Sequence, residues 1–274
     1  MSKRTSLKLV IFSDLDGTLL DRITYAAGPA VAALESCRSD SVPVVLVSAK
    51  TRAEMEPIRS ELQLDAPFIV ENGGGIYLPK GYFAAVQSAR KVGGYECVCR
   101  DISIENLRGT LKQAARETGV ETQGFGDMSE SEIASLTGLS ITQSALAKQR
   151  EFDEPFIVKE ATDEKIGRLK CEIELRGCRY NFGGSFHHIT GDFDKGDCVR
   201  QVMSLFRTLD SAVEFAAVGD AYNDLPMLRA VDHPFLVRSV DGSFDAGLVF
   251  DHLTVLDSIG PEGFAQAVKI LLQK

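Results

Sequence analysis

The chain has 274 residues, of which 44% are hydrophobic and 25% charged, and its formal net charge is -9. This composition is ordinary for a globular protein, and the length suits one large domain or a domain with a sizeable insertion. The negative charge argues against general binding to nucleic acids or anionic membranes, since both require a basic surface.

The first predicted element is a strand in SLKLVIFSDLDG, whose near-continuous apolar residues indicate burial on both faces. The residues before it are basic, but the apolar stretch is short and soon meets Asp14. We therefore expect neither a signal peptide nor a membrane span. The six cysteines show no CxxC spacing of a zinc or redox site, so we expect free thiols in a cytoplasmic protein.

Strands and helices then alternate along the chain. VPVVLVSAKT predicts a second buried strand, followed by a helix that Thr51 and Glu54 begin as a capping box. APFIVENGGGIYLP predicts a third strand with a glycine-rich turn, EFAAVGDAYNDLPMLRAV a strand, loop and helix, and HPFLV and GLVF two short strands. This order implies a doubly wound, Rossmann-like α/β core, in which ligands bind beyond the carboxyl ends of the parallel strands.

The middle of the chain has a different pattern. YECVCR predicts a strand, SIENLRGTLKQAARETG an amphipathic helix, EPFIVK a strand, DEKIGRLKCEIELRG a helix and RYNFGGSFHHITG paired short strands. We interpret this region as an inserted α+β cap. The predicted division is a first core part at 1–83, a cap at 84–190 and a second core part at 191–274.

Two carboxylates, Asp14 and Asp16, follow the first strand in DLDGT. In an extended chain they point the same way, roughly 6.6 Å apart, and their repulsion requires compensation. Gly17 permits a tight turn whose amide groups can hold an anion. A divalent cation would balance the carboxylates, and Mg²⁺ fits best because it binds a few carboxylates, waters and a phosphate oxygen. The alternative interpretation is a surface turn with two solvated aspartates.

Three later segments supply further polar groups at predicted strand ends or helix starts. Asp220 follows a strand and is a further candidate metal ligand, with Asn223 and Asp224 behind it or acting only as helix caps. Lys195 lies in the first turn of a helix, where it opposes the helix dipole, so a neighbouring phosphate or aspartate cluster would explain it. A solvated lysine beside an Asp194 cap is the alternative. Ser48 ends the second strand and can donate to a phosphate.

These motifs, DLDGT, Ser48, the lysine of DKG and GDxxND, occur in the order that resembles the haloacid dehalogenase superfamily of phosphatases. The inserted region resembles the α/β cap of its sugar-phosphatase branch. VSAKTRAEM, VENGGGIYLP, REFDEPFIV and GGSFHHITGDFDKG are most similar to the mannosyl-3-phosphoglycerate phosphatase family. One departure is Ala221, where relatives often have serine, and this puts one outer hydrogen bond in doubt.

The resemblance implies a role for each motif residue. Asp14 would be the nucleophile, and Asp16 would protonate the leaving oxygen and then activate water. Ser48 and Lys195 would hold the transferring phosphoryl group, while Asp14, the Asp16 carbonyl and Asp220 would hold Mg²⁺.

The expected reaction is hydrolysis of mannosyl-3-phosphoglycerate to mannosylglycerate, a compatible solute, so the expected ligand is a small phosphorylated sugar. The glucosyl analogue and a sucrose-phosphate-type substrate remain alternatives, as do a phosphomutase and a sugar-phosphate-binding regulator without turnover. A regulator without turnover would be expected to lack one of the motif residues. All four are present, which argues against the regulator: Asp14, Asp16, Lys195 and Asp220.

The cap is expected to select the substrate and to open and close near residues 79–81 and 189–191. A glycerate carboxylate favours an arginine fork, and glycines let the backbone approach a ligand. The candidate substrate residues are Lys50, Arg52, Arg150, Arg179, Gly183, Gly184 and His188. Alternatively, Arg150 belongs to a surface ion-pair cluster with neighbouring acids, and the glycine pair forms only a hairpin turn.

Overall fold

A computed structural model describes residues 7–84, 86, 89–183, 186–244 and 246–273, so the predicted substrate residue Gly184 lies outside the described part. The strands are, in chain order, β1 Leu9–Ser13, β2 Val44–Val47, β3 Phe68–Val70, β4 Gly75–Pro79, β5 Arg90–Val92, β6 Tyr95–Cys99, β7 Glu121–Gly124, β8 Asp153–Lys159, β9 Arg179–Gly183, β10 Phe186–Thr190, β11 Glu214–Gly219, β12 His233–Arg238 and β13 Thr254–Ile259. The α-helices are α1 Ala30–Ser39, α2 Arg52–Glu61, α3 Ile104–Thr118, α4 Glu130–Thr137, α5 Ile141–Ala147, α6 Asp163–Glu174, α7 Lys195–Arg207, α8 Leu225–Leu228 and α9 Gly260–Leu272.

The described residues form a nine-stranded and a four-stranded sheet. The larger sheet has the order β13-β12-β11-β1-β2-β3-β4-β6-β5. Its strands from β13 to β3 pair in parallel, whereas β4, β6 and β5 are added antiparallel. The predicted α/β class and the parallel core are therefore confirmed.

The central strand β1 explains the near-continuous apolar run in the sequence. Leu9 and Ile11 face one hydrophobic cluster, with α1 and α9, while Val10 and Phe12 face the other, with α7. All five residues of β1 are buried. A strand covered by helices on both faces has no solvent side, so an alternating pattern would leave polar groups in the core.

The smaller sheet has the antiparallel order β7-β8-β10-β9. Helices α3 and α6 pack on one of its faces through a cluster that includes Leu107, Leu169 and Phe156. The predicted paired strands around the glycine pair are confirmed as β9 and β10, in which Gly183 pairs with Phe186. Gly183 thus lies at the end of β9 in an antiparallel strand pair, and its contact with the substrate stays a prediction.

The strand predicted from YECVCR exists, but it does not pair with the smaller sheet. As β6 it pairs with β4, so the larger sheet continues to Cys99. The strand was predicted as part of the cap, within residues 84–190. The domain boundaries themselves stay a prediction.

Near the C-terminus, one predicted strand is wrong. GLVF is not a strand: residues 246–248 form a 3₁₀ turn, and the last strand is β13 at Thr254–Ile259. Leu248 is buried but Val249 is half exposed, so this short apolar run lacks the burial that a central strand requires. The helix predicted after β2 is confirmed with its capping box of Thr51 and Glu54.

Two further expectations concern the whole chain. All six cysteines are free thiols, as predicted. In the described part of the chain, no helix is both long enough and apolar enough to cross a membrane.

Candidate active site

The parallel pairing of β1 with β11 brings two predicted site residues together. The Asp14 amide donates to the Val218 carbonyl at 2.9 Å, and Asp220 follows directly after β11. Asp14, Asp220 and Asp224 each place a carboxylate oxygen within 4.8 Å of the others. The carboxyl ends of neighbouring strands thus gather three acidic groups that are far apart in sequence.

Lys195 lies between two of these carboxylates. Its side chain is 1% exposed, and Nζ donates to Asp14 Oδ1 at 2.7 Å and to Asp224 Oδ1 at 2.6 Å. Burial by itself would lower the pKa of Lys195, but the two carboxylates outweigh it and hold that pKa above its usual value. The alternative of a solvated lysine is therefore wrong, although Asp194 does cap α7.

Close backbone packing puts Lys195 in this position. The next residue, Gly196, faces the carbonyl of Pro226, and a Cβ added there would lie 2.4 Å from that oxygen. Only glycine lets α7 approach the segment after β11 this closely. The lysine and glycine of DKG therefore belong to one packing arrangement.

Asp224 organises the loop that carries Asp220. Its Oδ2 accepts the amides of Asp220 and Ala221 at 3.0 and 3.1 Å, and its side chain is fully buried. Asp224 thus caps the turn and also belongs to the acidic cluster. The sequence offered a capping role and a place near the metal as alternatives, and the two are compatible. Asn223 points elsewhere, since its amide donates to Asn72 Oδ1 at 3.3 Å.

Asp16 faces Lys50, one of the predicted substrate residues. Asp16 Oδ2 lies 2.9 Å from Lys50 Nζ, and Lys50 also lies 3.9 Å from Glu54. Within the described part of the chain, the buried Asp16 Oδ1 has no hydrogen-bond partner. Burial opposes the charge of Lys50, but Asp16 and Glu54 outweigh this and raise its pKa.

Ser48 is buried at the end of β2, where its hydroxyl accepts the Lys50 amide at 3.2 Å.

The turn after Asp16 has no room for a side chain. Gly17 has a φ of +91°, and a Cβ there would lie 2.7 Å from Asp220 Oδ2. Arg22 closes the same turn: its guanidinium donates to Asp220 Oδ2 at 2.7 Å and to the Asp16 carbonyl at 3.4 Å. Sequence reasoning missed Arg22, because nothing in its spacing from DLDGT marks it.

The acidic cluster is short of positive charge. Burial, followed by repulsion from Asp224, raises the pKa of Asp14 well above its usual range despite Lys195. Burial and the same repulsion raise the pKa of Asp220 to about 6, against the opposite effect of Arg22. Clustered carboxylates and the unpartnered Asp16 oxygen fit a hard divalent cation, which prefers oxygen ligands. The residues present are therefore suited to such an ion.

The arginines predicted to bind the substrate are mostly held by other protein groups. Arg150 is 7% exposed and donates to the carbonyls of Ala49 and Ala147, both at 2.8 Å, so it tethers the segment before β8 to the core. This geometry also contradicts the surface ion-pair interpretation of Arg150. Arg52 pairs with Glu56 at 2.9 Å and approaches Glu151 at 3.6 Å.

The remaining two predicted cap residues pair with acidic side chains. Arg179 pairs with Asp192 at 2.7 Å and with Asp194, the cap of α7, at 3.3 Å. His188 Nδ1 lies 3.0 Å from both carboxylate oxygens of the buried Asp153. Burial would raise the pKa of Asp153, but His188 and then Arg150 outweigh it and lower that pKa.

Three residues that sequence reasoning missed connect the two sheets. Glu71 and Asn72 both adopt positive φ after β3, and both contact the segment that begins β8. Asp153 on β8 completes the contact through His188. The only signal in the sequence was the glycine run of VENGGG, which marks a turn but not the acidic contact beside it.

The fold and part of the sequence match known proteins. Residues 11–92 match the family described as haloacid dehalogenase-like hydrolase. The solved structure of Thermoplasma acidophilum 0175 is similar with a TM-score of 0.68 and 18% identity, covering 98% of this chain and 100% of that one. A haloalkanoate-superfamily phosphatase, BT1666 from Bacteroides thetaiotaomicron, gives 0.65 and 17%, covering 98% and 97%. The fold is therefore that of the haloacid dehalogenase superfamily.

Relatives that are similar in sequence over most of the chain show which family of this superfamily the protein belongs to. A glucosyl-3-phosphoglycerate/mannosyl-3-phosphoglycerate phosphatase from Methanococcoides burtonii is 39% identical over 270 residues, 98% of each chain. A mannosyl-3-phosphoglycerate phosphatase from Pyrococcus furiosus is 36% identical over 229 residues, covering 83% of this chain and 90% of the relative. The chain belongs to this family of phosphoric monoester hydrolases.

Proposed function

We propose that this chain is a Mg²⁺-dependent phosphatase that hydrolyses mannosyl-3-phosphoglycerate, or its glucosyl analogue, to the glycosylglycerate and phosphate. The observation that carries this proposal is the contact of Asp14 with Lys195 inside an acidic cluster. A buried carboxylate with a cation on one oxygen keeps the other oxygen for attack on phosphorus. The relatives named for both substrates support the substrate class.

In the first step, Asp14 attacks phosphorus, the ester oxygen leaves with a proton from Asp16, and an aspartyl phosphate forms. In the second step, Asp16 takes a proton from water as the water oxygen attacks phosphorus, which releases phosphate and restores Asp14. Lys195 and Ser48 hold the phosphoryl oxygens during both displacements. These contacts position the reactants and offset charge, which is most of what phosphoryl transfer requires.

Asp14, the Asp16 carbonyl and Asp220 would hold Mg²⁺, with Asp224 behind them. When bound, Mg²⁺ supplies charge neutralisation for the phosphoryl group. Asp14 and Asp220 fit this role because burial and repulsion from Asp224 raise their pKa values in the protein alone.

Lys50 gives the site a second cationic contact on the side of Asp16. Its ammonium pairs with Asp16 at 2.9 Å, and the Lys50 side chain is 12% exposed. A substrate carboxylate that takes over this pairing would release Asp16 for proton transfer. Lys50 is therefore the proposed contact for the glycerate carboxylate, in preference to Arg150, whose donors are used by backbone carbonyls.

The test is phosphate release from mannosyl-3-phosphoglycerate, glucosyl-3-phosphoglycerate and sucrose-6-phosphate, each with Mg²⁺ and with chelator. We expect chelator-sensitive release from one or both phosphoglycerates, abolished in Asp14→Asn and retained in the exposed control Asp101→Asn. Equal rates on all three esters would replace the narrow substrate assignment with a broad sugar phosphatase. Binding without release, or transfer of the phosphoryl group to a sugar, would overturn the proposed hydrolysis.

A further inference from the structure

Glu71 is a buried carboxylate that the proposed chemistry does not use. It follows β3, is fully buried, and has a φ of 49°, while the next residue, Asn72, has a φ of 58°. Left-handed conformations are unfavourable for residues other than glycine and persist only where surrounding contacts impose them. The contacts of Glu71 and Asn72 therefore identify what this turn is built to hold.

The Glu71 carboxylate receives three successive backbone amides from the start of β8. Oε2 accepts Phe152 at 2.7 Å and Asp153 at 2.8 Å, and the Glu151 amide lies 3.0 Å from Oε1 and 3.1 Å from Oε2. Burial raises the pKa of Glu71 to about 7 against the opposite effects of Arg150 and of these amides. Amide hydrogen bonds to the ionised form of a carboxylate are short and strong. Successive amides that converge on one anion fix the backbone direction of the segment that carries them.

This segment carries the residue that orients His188. Asp153 is fully buried and accepts His188 Nδ1 at 3.0 Å, and its Oδ2 accepts the Asn72 amide at 3.0 Å. Asn72 in turn accepts from Asn223, next to the acidic cluster, at 3.3 Å. A hydrogen bond from Nδ1–H to Asp153 leaves Nε2 of His188 for a ligand. Glu71 and Asn72 thus connect the phosphoryl-transfer site with the His188 ring.

We propose that Glu71 is a positioning residue, which holds the start of β8 so that the Asp153–His188 pair presents its imidazole to the glycosyl part of the substrate. This inference rests on the proposed function. Glu71 touches neither the phosphoryl group nor the metal ligands in this scheme. Its removal should therefore affect large glycosyl esters and spare a small phosphate ester that needs only the core residues.

The experiment compares Glu71→Ala and Glu71→Gln on two substrates, mannosyl-3-phosphoglycerate and 4-nitrophenyl phosphate. For Glu71→Ala we expect kcat/KM on the glycosyl ester to fall about 10- to 100-fold, mainly through KM, since small displacements of positioned groups have effects of this size. The aryl ester should change less than about 2-fold. Glu71→Gln keeps an oxygen for the Phe152 and Asp153 amides, so its loss should be smaller, which keeps the test valid if the alanine variant does not fold.

Glu151→Gln is the matched control, because it removes a nearby charge while the Glu151 amide still donates to Glu71. It should behave like the parent protein on both esters. An independent readout is the His188 imidazole in ¹⁵N NMR, where Glu71→Ala should lose the fixed Nδ1–H tautomer. Equal losses on both esters, or unchanged values with an unchanged His188 signal, would overturn the positioning role.

Failure of the proposed function is distinguishable from failure of this inference. If the parent protein releases no phosphate from either phosphoglycerate, the proposed substrate is wrong. The His188 signal then decides the positioning role alone: retention of the Nδ1–H tautomer in Glu71→Ala overturns it, and loss of the tautomer supports it.

Discussion

Replacing Asp220 by asparagine should stabilise the metal-free protein at pH 8. Burial and repulsion from Asp224 raise the pKa of Asp220 to about 6, from an ordinary value of 3.8. The folded state therefore holds this proton more tightly than the unfolded state does. The resulting stability is complete below pH 3.8 and is lost as pH rises through about 6. Asparagine has nearly the same shape and carries no charge, so the variant should lose this pH dependence.

The size of the effect follows from the same shift and from the contact that the variant weakens. A shift of about two pKa units corresponds to about 3 kcal/mol at about 1.4 kcal/mol per unit. The ion pair between Arg22 and Asp220 is 2.7 Å long, but the arginine side chain is 44% exposed. Such a pair contributes up to about 1 kcal/mol. This contribution is already contained in the pKa of about 6, which Arg22 lowers, so the net gain in the free energy of unfolding at pH 8 should be about 3 kcal/mol.

The assay is urea unfolding with chelator at pH 5 and pH 8, for the parent protein, Asp220→Asn and the control Asp257→Asn, an exposed carboxylate on β13. The gain should be larger at pH 8 than at pH 5, and absent in the control. Added Mg²⁺ should stabilise the parent protein more than Asp220→Asn, because a metal ion that binds the folded state shifts the unfolding equilibrium. A variant less stable than the parent at pH 8 in chelator would refute the reasoning that the cluster is short of positive charge.

Three further substitutions test individual contacts. Asp16→Asn should lower the rate of phosphate release about 10²- to 10⁴-fold without a comparable loss of stability, because it removes proton transfer; an unchanged rate would exclude the acid–base role. Lys195→Met should lower the free energy of unfolding by about 3–5 kcal/mol in chelator, since it leaves two carboxylates without their buried cation. Thermal unfolding measures this, and an unchanged Tm would contradict it. Gly196→Ala should cost about 1–3 kcal/mol, because its methyl group would meet the Pro226 carbonyl oxygen; a Tm equal to that of the exposed control Gly109→Ala would show that the helix adjusts freely.

The sequence predicted the sheet and the acidic cluster for a common physical reason. Apolar runs without alternation indicate strands covered on both sides, and parallel strands place their carboxyl ends at one edge. Asp14 and Asp220 therefore had to meet once β1 and β11 became neighbours. The prediction that GLVF forms a strand was wrong, because an apolar run of four residues does not distinguish a buried strand from a short turn.

Long-range contacts of charged side chains were harder to predict. Arg150 precedes an apolar strand, and from the sequence it was a candidate to bind the substrate. In the structure its guanidinium instead donates to the carbonyls of Ala49 and Ala147. Glu71 gave no signal, because its positive φ and its three amide partners exist only after the two sheets meet. Local patterns specify which elements form, whereas the partners of a buried charge depend on segments that are distant in sequence.

The balance of charges in the site supports the proposal that a metal ion and the substrate bind together. Asp14, Asp16, Asp220 and Asp224 are matched by Arg22, Lys50 and Lys195, so the carboxylates exceed the cations by one when all are ionised. A phosphate ester adds further negative charge to a site that is largely buried. Without another cation, either the phosphate stays out or a carboxylate takes up a proton, and a protonated nucleophile is inactive. In the proposed mechanism a divalent cation would remove both obstacles, so that substrate binding and ionisation of the nucleophile would depend on the same ion.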